Sequence, residues 1–414
     1  MTLTAPSSFE KASAPVDLPK LDVSPVWSGL GESRWLGLDL VRGAAGILVF
    51  LFHYAGMTAG RTASNPAWEA LESASFLLGS IGTNLLLLLC GLLIGKSVAQ
   101  KDFAYPDFML KRSMRLYFPY LVVILLAYAF AAVFPVFSKP HSDQNEFEYF
   151  FSQLLLLPGL FPDRPLLTVS WTLSYIFAGY CVLPLLAGAY GKLFSARPGY
   201  LGVWIASLIA CLTMFFVFGS PSIRLSYIPA GCILAELLRQ DRVRLRGPQH
   251  LWPVLGIGFS AQICRFGIEL HLLDSILPTS FRTLIFFVCG LTAVSSFTLF
   301  AIFSSSFIRI SRSTLTGKLL SFTGKRGYSF YLLHGAVTKT IVFFAVLLVP
   351  AAFNSWLADL LLLLFCFASA LFISHMSYLL LEGAGTRACL AFFKRPVARL
   401  QAPQCFAASI NQLN

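Results

Sequence analysis

Stretches of about 20 consecutive apolar residues recur from one end of this 414-residue chain to the other, and that is the length an α-helix needs to cross a hydrocarbon core. Nothing else in the sequence restricts the fold as strongly. Lipid offers the backbone no hydrogen-bond partner, so a segment passing through it is a helix or part of a closed barrel. A barrel is written as short alternating strands, and that alternation is not found here. The composition agrees: 57% of residues are hydrophobic and 12% charged, against about a quarter charged in an ordinary soluble domain. The expected fold class is all-α integral membrane, a bundle of about ten transmembrane helices.

The apolar runs place these spans near 36–57, 76–97, 117–137, 166–190, 199–219, 222–238, 250–272, 281–304, 327–350 and 355–381. The sixth is short and contains Pro229, which suggests a tilt, a kink or a re-entrant course. The stretch "FFSQLLLLPGLF" before the fourth is too short to span, and an interfacial position suits it. Residues 1–34 are polar, hold four prolines and lack the apolar core of a signal peptide; they read as a disordered cytoplasmic tail with no cleaved leader. The transmembrane domain is then 35–384, and 385–414 is a basic cytoplasmic tail.

Direction follows from the loops. Lys96, Lys101, Lys111, Arg112 and Arg115 lie between spans two and three, Lys192 and Arg197 after span four, and Arg239, Arg242, Arg244 and Arg246 after span six. Arg309, Arg312, Lys318, Lys325 and Arg326 follow span eight, and Arg387, Lys394, Arg395 and Arg399 follow span ten. The alternate loops are poor in base and carry Glu69, Glu72, Asp143, Glu146 and Glu148. Basic loops mark the cytoplasmic side, so both termini are expected there. The same arrangement accounts for the net charge of +12 without a nucleic acid as partner; membrane lipids are the surroundings it fits.

Some features carry little. The nine cysteines fall mostly inside apolar stretches, none at metal-ligand or redox spacing, and read as small buried hydrophobes; no metal site is expected. "GLLIGKS" at 91–97 has one residue too few between its glycines for a phosphate loop and no strand before it. Internal repeats, a mark of many transporters, are not evident.

Polar groups inside apolar spans carry more. In the first span Arg42 and His53 are eleven residues apart, about three turns, so they face the same way about 16 Å apart along the axis. Arg42 falls near the inner surface, where snorkelling to headgroups is the plain alternative. His53 falls in the outer half. An ionisable group there either hydrogen-bonds another helix or faces a cavity. In "KRSMRLYFPY", 111–120, Arg112 and Arg115 are three apart and share a helical face; paired guanidiniums suit phosphates, and a basic anchor is the alternative. Tyr117 and Tyr120 then read as interface aromatics. Arg265 and Glu269 are spaced to pair. His334 and His375, within the last two spans, are expected to be packed or hydrogen-bonded.

Taken together, these segments resemble the membrane-bound acyltransferase family three, which includes bacterial O-antigen, exopolysaccharide and Nod-factor acetylases. "LDLVRGAAGILVFLFH" is similar to the family's first-helix signature, with Arg42 and His53 matching its arginine and histidine. "RSMR" is similar to its arginine pair, "LLCGLLIGKS" to its glycine-centred second helix, and "GYSFYLLH" to its late serine–tyrosine–leucine–histidine segment. "WTLSYIFAGY" keeps Trp171 and Leu173 but puts Ile176 where the family has glutamate; Asp39 and Glu269 are candidate replacements. "LEGAGTR" only loosely resembles the family's ending.

The resemblance implies transfer of an acyl group, acetyl by default, from cytoplasmic acyl-CoA (acetyl-CoA) to a hydroxyl of a cell-surface or lipid-linked glycan, in the bacterial cytoplasmic (inner) membrane. No permanently bound cofactor is implied. Arg112 and Arg115, with Lys111 and Arg42, are expected to hold the donor's phosphates. His53, together with Arg42, is the expected catalytic group, as general base or as carrier of an acyl-histidine intermediate. Asp39, Asn84, Trp171 and His334 are expected on the substrate, with Asn84 as an oxyanion donor. A transporter or flippase for a glycan or small metabolite, with His53 and Arg42 lining its pathway, is the alternative.

Overall fold

A computed structural model of the chain describes residues 32–58, 66–133, 145–161, 165–193, 199–218, 223–240, 248–269, 278–349 and 355–392. The helices are α1 Glu32–Thr58, α2 Pro66–Val98, α3 Tyr105–Val133, α4 Glu146–Leu154, α5 Ser170–Leu193, α6 Leu201–Phe218 and α7 Tyr227–Arg239. They continue with α8 Pro248–Glu269, α9 Thr279–Phe303, α10 Ser305–Ser313, α11 Leu315–Lys325, α12 Gly327–Leu348 and α13 Trp356–Ser377. A π-helical segment, Tyr378–Gly385, prolongs α13, and the helical course runs on to residue 392. Among the described residues no strand forms beyond one bridge between Pro158 and Phe161. This is an all-helical membrane bundle.

Among the described residues eight helices are long and apolar enough to cross a membrane, rather than ten. The fifth expected span is α6, whose apolar part is Leu201–Val217. The sixth is one 3₁₀ turn, Arg224–Ser226, followed by the 13-residue α7. Thirteen residues rise about 20 Å, short of a hydrocarbon core of about 30 Å. Pro229 lies in the first turn of α7, where no intrahelical N–H bond is lost, so it opens this helix rather than kinking it. The stretch before span four is the short helix α4, capped by Asn145, whose side chain accepts from the Glu148 N–H at 2.8 Å. Of the expected C-terminal tail, residues 385–392 are helical, and 393–414, Cys405 among them, fall outside the described residues, as do 1–31.

The helices sort by burial. In α2, 78% of the membrane window is buried, against 22% in α8 and in α13, so α2 is the central post and the other two face outward. α2 packs most closely on α7 and on α1. The fit with α7 requires glycine: a Cβ on Gly91 would overlap the Ile228 carbonyl, and one on Gly231 the Leu88 carbonyl. Small residues at such crossings let backbones touch, which is the main source of attraction between helices in lipid. α1 and α11 meet in the same way, Gly43 on the Leu320 carbonyl and Gly324 on that of Asp39. This second contact matters for the site, because it brings the end of α11 and the start of α12 against Asp39 and Arg42.

Candidate functional site

Asp39 and Arg42 are three residues apart on α1 and form an ion pair at 2.8 Å. Arg42 lies six residues inside the span's first residue, Leu36, about 9 Å along the axis. Its guanidinium does not snorkel to the surface but lines a cleft of about 320 Å³. The walls of that cleft also carry Arg112 and Arg115 from α3, Ile176 and Tyr180 from α5, Lys325 from the end of α11, and Gly327 and Tyr328 from the start of α12. Arg112 and Arg115 stand inside α3, which begins at Tyr105, and not in a loop before it. Four cations and one carboxylate thus share one concavity.

Each cation is held differently. Arg112 stacks near the rings of Phe108 and Tyr180, 5.7 and 5.8 Å from their centroids, and donates weakly to Ser97 Oγ at 3.5 Å. Arg115 is more open, with its Nε 3.6 Å from Glu382 Oε2, an ion pair too long to be a hydrogen bond. Glu382, in the π-helical segment, is itself buried. Its Oε1 accepts from the Ser329 N–H at 2.9 Å and from Ser329 Oγ at 2.5 Å, and a carboxylate is favoured at a helix N-terminus such as that of α12. Short π-helical insertions are frequent at functional sites.

Other expected residues fall elsewhere. Lys111 is exposed and pairs with Asp107 at 2.9 Å; it is not on the cleft wall. Asn84 is buried and hydrogen-bonds Tyr227. The Arg224 guanidinium lies 4.8 Å above the Trp171 ring, and the neighbouring Thr172 hydroxyl bonds that of Tyr331. His53 is half-buried near the far end of α1, its ring centroid 5.2 Å from that of His334 on α12. The wall of the cleft includes neither histidine. His334 is fully buried, its Nδ1 3.0 Å from the Phe330 carbonyl.

The remaining polar groups are accounted for locally. Arg326 Nε donates to His375 Nδ1 at 2.8 Å. Arg265 is buried, bonded to Ser80 Oγ and stacked 4.1 Å from the Phe286 ring; the side chain of Glu269, its expected partner, lies outside the described residues. Tyr117 and Tyr120 donate to the carbonyls of Leu154 and Gln153 at 2.8 and 2.6 Å, so they tie α4 to α3 instead of marking the interface. At the family's glutamate position the cleft is bounded by the Ile176 side chain, with Asp39 on the same wall.

The family model described as an acyltransferase domain matches residues 35–375, most of the chain and all of the cleft except Tyr378. The chain belongs to acyltransferase family three. No curated protein and no solved structure matches it. As a member of this family it is an integral membrane enzyme that transfers acyl groups. Sequence reasoning missed Lys325 on the cleft wall and Glu382, which faces Arg115 from behind it. Lys325 was counted only as a loop base, and Glu382 lay in a segment with a loose motif. An acid directly after the apolar run Leu379–Leu381, at the end of a long hydrophobic stretch, was the available signal for Glu382.

Proposed function

We propose that the chain transfers an acyl group, acetyl in the first instance, from cytoplasmic acetyl-CoA to a hydroxyl of a cell-surface or lipid-linked glycan at the bacterial inner membrane. The observation that carries this reading is the convergence of Arg42, Arg112, Arg115 and Lys325 on one cleft, with Arg42 on the helix that presents His53 eleven residues further along. Guanidiniums bind phosphate through paired, charge-assisted hydrogen bonds. The donor's phosphates sit there, and its flexible thioester arm extends along α1 toward His53, about 16 Å away.

His53 acts as general base. It takes the proton of the acceptor hydroxyl while that oxygen attacks the thioester carbonyl. The tetrahedral intermediate then expels the thiolate of CoA, which recovers the proton from the imidazolium. The products are the O-acyl ester and free CoA thiol. Asp39 holds Arg42 in place, and Glu382 does the same for Arg115.

The test compares the mass of the surface glycan in cells carrying the wild-type chain and the His53→Ala variant. The expected result is an acyl increment present in the first and lost in the second, with acyl-CoA binding retained by the purified variant. An unchanged increment sinks the proposal. Substrate flux without any dependence on acyl-CoA would favour a transporter instead.

A further inference from the structure

His334 carries an acceptor that nothing yet uses. A carbonyl oxygen only accepts, so the 3.0 Å contact between His334 Nδ1 and the Phe330 carbonyl puts the proton on Nδ1. In the neutral ring Nε2 is then a bare lone pair. It is buried and has no hydrogen-bond partner. A buried acceptor left unsatisfied is costly and calls for a donor. One turn further along α12 the Thr338 hydroxyl is also buried and unpartnered, so this side of α12 presents two polar groups to the bundle interior.

The histidine across from it is His53. The rings are 5.2 Å apart between centroids and inclined at 43°. His53 makes no hydrogen bond among the described residues, and its ring neighbours are Phe52 and His334. Half-buried Asp39 is paired with Arg42, and buried Glu382 is bonded to Ser329. At the family's carboxylate position stands Ile176, on the wall of the distant cleft. α1 and α12 pack against each other, and the two rings are neighbours across that contact.

We propose that His334 is the positioning residue for His53: its Nε2 accepts an N–H from His53, fixing the tautomer in which the other His53 nitrogen is free to take a proton. This rests on the reading of His53 as general base. When that nitrogen takes the acceptor's proton, His53 becomes imidazolium and still donates to His334, which keeps its own proton on Nδ1 throughout. The arrangement gives an imidazole the orienting role that a carboxylate fills in other base–orienter pairs.

The experiment uses the full chain in lipid nanodiscs with acetyl-CoA and the glycan acceptor. His334→Phe keeps bulk without an acceptor, and His334→Gln restores an oxygen near the Nε2 position. Expected is a fall in kcat of about 10²-fold for His334→Phe, an unchanged KM for acetyl-CoA, and recovery in His334→Gln to within about tenfold of the wild type. Wild-type kcat in His334→Phe, or equal losses in both variants, overturns the proposal. A second readout is independent of turnover. In protein carrying ¹⁵N-labelled histidine, the His53 resonances report which nitrogen is protonated, and His334→Phe should shift that assignment. If it does not shift, the dyad is wrong even when activity is lost. If the wild type itself transfers no acyl group, the general-base reading fails, and the nitrogen resonances still decide whether the two rings are bonded.

Discussion

The cleft around Arg42 and the histidine pair beyond it lie along the same helix but satisfy their polar groups in opposite ways. In the cleft, charges are set against partners: Asp39 on Arg42, Glu382 near Arg115, aromatic faces beside Arg112. Partly exposed Arg42 and Arg115 keep capacity for a further anion, since each guanidinium has five donors and few are engaged. At the histidine pair a buried acceptor has no partner among the described residues, and the rings of Phe50 and Phe330 lie beside it. A site that binds a charged ligand from water can remain hydrated and paired before the ligand arrives. A group that must take a proton has to be unprotonated beforehand. The contrast between the two regions is therefore one of charged groups already paired against a neutral acceptor left open.

The largest effect that would break this comparison comes from the chemical end. His53→Ala should lower kcat by about 10³-fold while isothermal titration gives the wild-type affinity for acyl-CoA; a loss of affinity of the same size would make the two regions one site. Next, Arg112→Ala and Arg115→Ala should each weaken acyl-CoA binding by about 10- to 100-fold, the worth of one charged hydrogen-bonding group, with kcat at saturating donor nearly unchanged. Raising the salt concentration should narrow that difference, because the open guanidinium of Arg115 is screened. Glu382→Gln sharpens the picture further. It keeps an oxygen for Ser329 but drops the charge facing Arg115, and a change in donor affinity of about threefold is expected from a pair this open on one side. Lys111→Ala should be smallest, within about twofold in binding and in rate, since its exposed pair with Asp107 is worth under about 1 kcal/mol.

Much of the bundle was legible because lipid leaves few options. An apolar run of sufficient length becomes a helix, and the segments from Leu36, Leu77, Gln249, Phe281 and Gly327 emerged as spans close to where hydropathy puts them. The reading failed where length and burial part company. α7 is apolar because nine of its thirteen residues pack inside the bundle, and hydropathy cannot tell a protein interior from lipid. α3 was misplaced at its start because its first three turns carry Asp107, Lys111, Arg112 and Arg115, which look like loop residues until the helix is seen to continue through them.

By itself the sequence determined that the chain is helical in a membrane, that Arg42 and His53 lie on one face of the first span, and that Arg112 and Arg115 lie together on another helix. These are consequences of helix period and hydropathy, which are local. Only the tertiary structure decided that α1, α3, α11 and α12 close one cationic cleft, that Glu382 reaches back some 50 residues in sequence to the start of α12, and that His334 faces His53. Those pairings depend on where glycines let backbones touch, as Gly43 and Gly324 do, and no helical period encodes which two helices will meet.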